Sequence, residues 1–130
     1  MPGEKNLDIL LKTMRPTIIE GDYVFSSLPN GMNIQDLNII SYFREPEGIS
    51  VVVLKTDADR LNLKYDFIAS WITLTVHSSL EAVGLTAAFA KALADARISC
   101  NVIAAYYHDH IFVNKNDCEQ AVEILENLSK

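Results

Sequence analysis

The sequence predicts an α+β fold built twice over, an antiparallel sheet covered by helices. Three observations carry that expectation. Tyr23-Val24-Phe25-Ser26-Ser27-Leu28 shares Val-x-Ser-Ser-Leu with Thr75-Val76-His77-Ser78-Ser79-Leu80, and each copy ends an apolar, β-prone run. Further on, Asn38-Ile39-Ile40-Ser41-Tyr42-Phe43 is echoed by Asn101-Val102-Ile103-Ala104-Ala105-Tyr106, and Val53-Leu54-Lys55-Thr56-Asp57 by Val113-Asn114-Lys115-Asn116-Asp117. Ordered self-similarity at long spacing is what a duplicated architecture leaves behind. Finally, a chain of 130 residues with 49% hydrophobic composition has the material for one shared core, whereas two separate half-length units would be marginal.

The copies differ in one place. The spacing between them is longer at the asparagines than at the serine pair, because copy two gains the helical segment Glu81 to Arg97. Copy one has only Pro29-Asn30-Gly31-Met32-Asn33-Ile34-Gln35-Asp36-Leu37 there, rich in turn formers and too short for a comparable helix. Residues 1–66 are therefore a degenerate N-terminal half and 67–130 the fuller one, the two forming one compact unit.

Taken in order, Leu7, Ile9, Leu10, Leu11 and Met14 fit one face of a short helix that must end before Pro16. Thr17 to Leu28 reads as extended, with a turn at Glu20-Gly21-Asp22. Residues 38–44 and 49–54 form a hairpin around Glu45-Pro46-Glu47-Gly48, and Thr56 opens a short helix through Leu61. In copy two, Ile72, Leu74 and Val76 alternate with Thr73, Thr75 and His77, the pattern of a strand with one buried face. Ser78 and Glu81 have capping-box spacing, so the next helix is expected to start at the serines. Two apolar stripes, Val83, Ala87, Ala90, Ala94 and Leu85, Ala88, Phe89, Ala92, Leu93, predict that it is well buried. Ile98 to Tyr106 and His110 to Val113 form the second hairpin, and Asn116 with Glu119 repeats the capping spacing before the last helix.

Copy two thus reads β-α-β-β-α and stops where a fourth strand would complete a ferredoxin-like β-α-β-β-α-β unit. Some strand must fill that edge, and the N-terminal half is the expected donor, since an uncovered apolar edge invites aggregation.

Seventeen acidic residues against eleven basic ones give a formal charge of −6, which repels phosphate backbones and anionic lipid surfaces. Nucleic acid and membrane are not expected partners. No run approaches the roughly 20 apolar residues of a membrane helix, and the start lacks a secretory pattern, so a cytoplasmic protein is expected. Cys100 and Cys118 have no CxxC spacing and read as reduced, partly buried thiols.

The segment Val83-Gly84-Leu85-Thr86-Ala87-Ala88-Phe89-Ala90-Lys91-Ala92-Leu93-Ala94-Asp95-Ala96-Arg97-Ile98-Ser99-Cys100-Asn101-Val102 resembles the glycine, amphipathic helix and strand of ACT domains, regulatory modules that bind amino acids. With Thr73 to Leu80 and Tyr106 to Val113, nearly the whole chain is similar to small stand-alone bacterial ACT proteins without an assigned function. About sixty residues are similar to the second half of the cytosolic arginine sensors of animals, built from tandem ACT units. Many ACT modules carry a proline just before the glycine and a glycine before the second strand. Here Val83 and Arg97 occupy those places, so the backbone of the ligand loop is expected to differ.

A helix N-terminus offers unpaired N–H groups and partial positive charge, a seat for a carboxylate, and Gly84 lets a ligand or a backbone come close. An amino-acid ligand also needs a partner for its ammonium. The resemblance to the sensors gives that part to Asp109, with Tyr107 and His108 beside it. The candidate ligand-binding residues are Ser78, Ser79, Glu81, Val83, Gly84, Leu85, Asn101, Tyr107, His108 and Asp109. The plainer alternative is that Ser78 and Glu81 only cap, Gly84 only permits close packing, and His108-Asp109 is only a hairpin turn.

His108 and His110 share a strand face and His77 could join them, but the spacing matches no zinc motif, so no metal and no cofactor are expected. The chain has no nucleophile elbow, phosphate loop, HExxH or dinucleotide fingerprint, and His77 and Ser78 point to opposite faces, so no catalytic residue is assigned. The expected function is a non-catalytic regulatory ACT protein binding an amino acid or similar small metabolite, as a homodimer. The alternative is an oligomeric interaction module without a metabolite, in which copy one exposes a sheet face of Ile39, Tyr42, Phe43, Val51 and Val53 that needs a cover.

Overall fold

The computed structural model describes residues 6–76 and 82–130. Its order is α1 (Leu7–Thr13), β1 (Arg15–Leu28), β2 (Ile39–Glu45), β3 (Gly48–Leu54), α2 (Lys55–Arg60), β4 (Ala69–Thr75), α3 (Leu85–Asp95), β5 (Asn101–Ala104), β6 (Asp109–Asn114) and α4 (Cys118–Asn127). The strands form one antiparallel sheet in the order β2-β3-β1-β4-β6-β5, so the fold is α+β and ferredoxin-like, as the residue pattern predicts. Two compact units divide the chain, one of 1–20 with 70–130 and one of 21–69.

In the first unit the expected donor strand is found: the Arg15–Glu20 part of β1 belongs to this unit, and β1 lies next to β4, where a ferredoxin-like unit carries its fourth strand. Strand alternation sends Ile72, Leu74, Ile111 and Val113 to one face, where they meet Leu10, Met14, Leu85, Phe89, Leu93, Ala121 and Leu125 in a dry core. Truncating a fully buried leucine such as Leu93 to alanine removes about 2–5 kcal/mol. Asn6 caps α1 through its side-chain oxygen, which accepts from the Ile9 N–H at 3.2 Å. Ser129 Oγ donates to the Met14 carbonyl at 2.9 Å, tying the residues after α4 to the end of α1.

The second unit, β2, β3 and the Gly21–Leu28 part of β1, packs Val24, Leu28, Ile49, Val51 and Val53 against Ala58 of α2. Between β1 and β2 there is no helix among these residues, and the turn-rich link supplies Ile34 and Leu37 to the core instead.

Five local expectations are corrected. Glu20-Gly21-Asp22 is not a turn: β1 runs through it unbroken, because Gly21 takes φ +123° at no Cβ cost and the strand bends without ending. Helix α3 starts at Leu85 rather than at the serines, with Gly84 as a left-handed N-cap. Of its two stripes, Leu85, Phe89 and Leu93 are buried in the core, whereas of the other Ala90 packs against the core half-buried, Ala87 and Ala94 are exposed, which alanine in a helix tolerates readily, and Val83 lies exposed ahead of the helix. Before α4, Asn114 rather than Asn116 caps, its side chain accepting from the Asn116 N–H at 2.9 Å ahead of a 3₁₀ turn over Lys115–Asp117. Of the five residues expected on a bare face of copy one, Val51 and Val53 are covered within their own unit and Ile39 packs against the same core, so those left bare are Tyr42 and Phe43, the latter 73% exposed.

Helix α3 also explains how the sequence does without the glycine that ACT modules carry before the second strand. Arg97 itself takes φ +62°, the Arg97 N–H donates to Ala94 O and the Ile98 N–H to Leu93 O, both at 2.9 Å. That is a Schellman ending, sealed by the buried pair Leu93 and Ile98.

Candidate functional site

Geometry at one end of the first unit is set by how β4 and β6 lie together. Thr73 Oγ1 stands 3.1 Å from His110 Nδ1, and the rings of Trp71 and Phe112 are stacked at 5.8 Å, so the strands run past one another in opposite senses. Carried two residues further, that alignment brings the Thr75–Val76 end of β4 to the His108–Asp109 end of β6. At this end of β4, Val76 is buried in the same core as Ile111 and Leu85, the first residue of α3.

Of the candidate residues, Val83, Gly84 and Leu85 form the entry to α3. Gly84 has φ +99° and no side chain to cap the helix, and its carbonyl accepts the first intrahelical bond, from Ala88 N at 2.9 Å. The N–H groups of Leu85, Thr86 and Ala87 precede that bond, so the ladder of α3 does not use them. A Cβ on Gly84 would come within 3.2 Å of Leu7 Cδ2, so α1 buttresses this loop from below. Leu85 is buried in the core and Val83 is exposed.

The second cluster, Tyr107, His108 and Asp109, makes the β5–β6 turn and the start of β6. Ala105 N–H donates to His108 O at 3.1 Å, closing the turn, and the Tyr106 and Tyr107 rings meet edge to face at 5.0 Å, both exposed. Asp109 shares the parity of Ile111 and Val113 and therefore leans to the helix side of the sheet. Burial raises its carboxyl above the usual carboxylate range, opposed by nearby His110. His108 Nδ1 is buried with no hydrogen-bond partner among the described residues. An uncapped helix start and a desolvated carboxylate thus stand at the same end of one sheet, a pairing suited to a small zwitterion.

Ser78, Ser79 and Glu81, with His77, lie outside the described residues. Asn101 stands apart from the other described candidates: it pairs with Phe112, three rungs or about 10 Å from the Ala104–Asp109 pair. Its side-chain amide donates to Phe112 O at 3.2 Å. Among the described residues no group of three His, Cys, Asp or Glu side chains comes together as metal ligands would. Two features escaped sequence reasoning. Leu7, far away in the chain, gives no local sign that it braces Gly84. The polar and aromatic set Trp71, Thr73, His110 and Phe112 on the helix-free face was within reach of the same strand alternation that identified the core.

Comparison with known proteins agrees with this fold. Two ACT domain profiles match, one over residues 2–70 and one over 67–127. A Vibrio cholerae protein of unknown function, described as a possible transport protein, is 47% identical over 97% of this chain and 98% of its own, with a TM-score of 0.88. The regulatory subunit of Thermus thermophilus aspartate kinase in its ligand-free form has a TM-score of 0.62 at 7% identity, over 88% of this chain and 97% of that one. Aspartate kinase from Clostridium acetobutylicum has a TM-score of 0.63 at 11% identity, over 90% of this chain and 34% of its own. At such identities the last two show a shared fold and nothing finer. No curated protein matches the chain.

Proposed function

This chain belongs to the ACT-domain family, and on that premise we propose that it is a non-catalytic regulatory protein that binds a free amino acid or similar small metabolite. The ligand's carboxylate is received by the first-turn N–H groups of α3 behind Gly84, and its ammonium by Asp109, with Tyr107 and His108 beside it in the chain. Residues 67–130 carry this site, and the protein works in the cytoplasm as a homodimer. One observation supports the reading most: the carboxylate of Asp109 is held half-buried, at a cost, at the same end of the sheet as a helix start that has no side-chain cap. A cation arriving at Asp109 offsets that cost. No helix among the described residues is long and apolar enough to cross a membrane.

A thermal-shift screen of the twenty amino acids tests the proposal. A ligand at about 100 times its dissociation constant stabilises by roughly 2.7 kcal/mol, and a flat response across the set contradicts the reading. A second reading, an oligomeric interaction module with no metabolite, is favoured by Phe43, bare on the outermost strand β2. Solution mass measured for wild type and Phe43→Ser separates the two. Under the second reading the substitution dissolves the oligomer and no amino acid changes its melting.

A further inference from the structure

The face of the first unit's sheet turned away from its helices carries Trp71 and Thr73 from β4 and His110 and Phe112 from β6, with Ile103 of β5 in register with His110. His110 Nδ1 is within 3.0 Å of Trp71 Nε1 and 3.1 Å of Thr73 Oγ1. An indole nitrogen only donates, so the Trp71 bond requires a bare lone pair at Nδ1, which places the neutral ring's proton on Nε2. Thr73 is the one partner of the two that can reverse its role, since a hydroxyl both donates and accepts.

We infer that His110 is a proton-operated switch: neutral, its Nδ1 accepts from Trp71; protonated, it gives up that bond and donates to Thr73 instead. Neither β4 residue at the ring carries charge, nor does Ile103 opposite. Burial opposes protonation of the ring most strongly, so it takes its proton below the ordinary imidazole range near 6.5. Among the described residues the charges that reach His110 are its strand neighbours, His108, which also opposes protonation, and Asp109, which favours it. Since Asp109 lies next in the chain, the switch reports proton uptake on the strand that carries the proposed ammonium partner. The switch itself rests only on the Trp71, Thr73 and His110 geometry and stands whether or not an amino acid binds.

Trp71 is the chain's single tryptophan, so one indole N–H resonance reports the switch directly. In proton–nitrogen NMR spectra of the wild-type protein, that resonance is expected to move through one titration with its midpoint below 6.5. His110→Gln keeps an acceptor but removes the proton, and its indole resonance is expected to stay still over the same range. Thr73→Val deprives the charged ring of its acceptor and lowers the midpoint by about one pH unit, whereas His108→Gln raises it. Long-range imidazole nitrogen spectra of the wild type must show the neutral ring protonated at Nε2, a test that holds even if a variant fails to fold. A wild-type indole resonance that does not titrate, a titration that survives in His110→Gln, or a neutral ring protonated at Nδ1 overturns the inference.

Discussion

Arg97 is an exposed, non-glycine residue held at φ +62° to end α3, and replacing it with glycine should stabilise the protein. A left-handed conformation costs an L-residue roughly 1–2 kcal/mol, from crowding between Cβ and the next carbonyl. Glycine escapes that cost but loses about 0.5–1 kcal/mol more backbone entropy on folding. The difference leaves a net gain of about 0.5–1 kcal/mol for Arg97→Gly, a melting-temperature rise of about 3 °C for a domain of this size. Both Schellman hydrogen bonds run from backbone N–H groups that the substitution leaves in place. Arg97→Ala is the decisive control, because it removes the charge and keeps the strained Cβ. Urea unfolding of the three proteins should give glycine above arginine and alanine, with the latter two within about 0.5 kcal/mol. If alanine stabilises as much as glycine, the guanidinium rather than the backbone is responsible and the reasoning fails. A destabilised Arg97→Gly refutes it outright.

Gly84→Ala should cost about 1–2 kcal/mol in urea unfolding, since φ +99° is strained for any Cβ and Leu7 must also yield at 3.2 Å. The displaced start of α3 should weaken amino-acid binding in the same protein, measured by calorimetry. For Asp109, burial raises the folded-state pKa above the unfolded value, so its contribution to stability is full below that unfolded value and is lost as pH rises through the folded one. The ionised group therefore costs stability at neutral pH, and Asp109→Asn should melt higher than wild type at pH 7, with the advantage gone at pH 3. The same variant should lose amino-acid binding, the exchange of stability for function expected of a binding carboxylate.

The duplication and the α+β class were readable in the chain because strand alternation and hairpin turns are local signals. Ile72, Leu74 and Val76 declare a half-buried strand by themselves, and Glu45-Pro46-Glu47-Gly48 declares its hairpin turn. The donor strand was foreseen as a need, to cover an edge, and β1 fulfils it. What failed were places where a local cue competes with a longer-range demand. Gly21 looks like a turn residue, yet the pairing of β1 from Tyr23↔Leu54 to Leu28↔Ile49 belongs to a continuous strand that glycine merely bends. Helix α3 begins at an uncapped glycine, and Leu85, its first residue, is buried in the core. At the candidate site, Gly84 and Asp109 were singled out from chemistry and resemblance. The burial of Asp109, the brace from Leu7 and the distance of Asn101 from the others are products of strand register and helix packing, which no local pattern carries.

The central claim is that the two charged ends of one amino acid are received separately, at the beginning of α3 and at Asp109. Calorimetric titration of the best-stabilising amino acid beside its carboxamide and its N-acetyl derivative tests this most directly. Both derivatives should bind at least about 100-fold more weakly, since each leaves one of the two partners without the charge it receives. Equal affinity for either derivative contradicts the account.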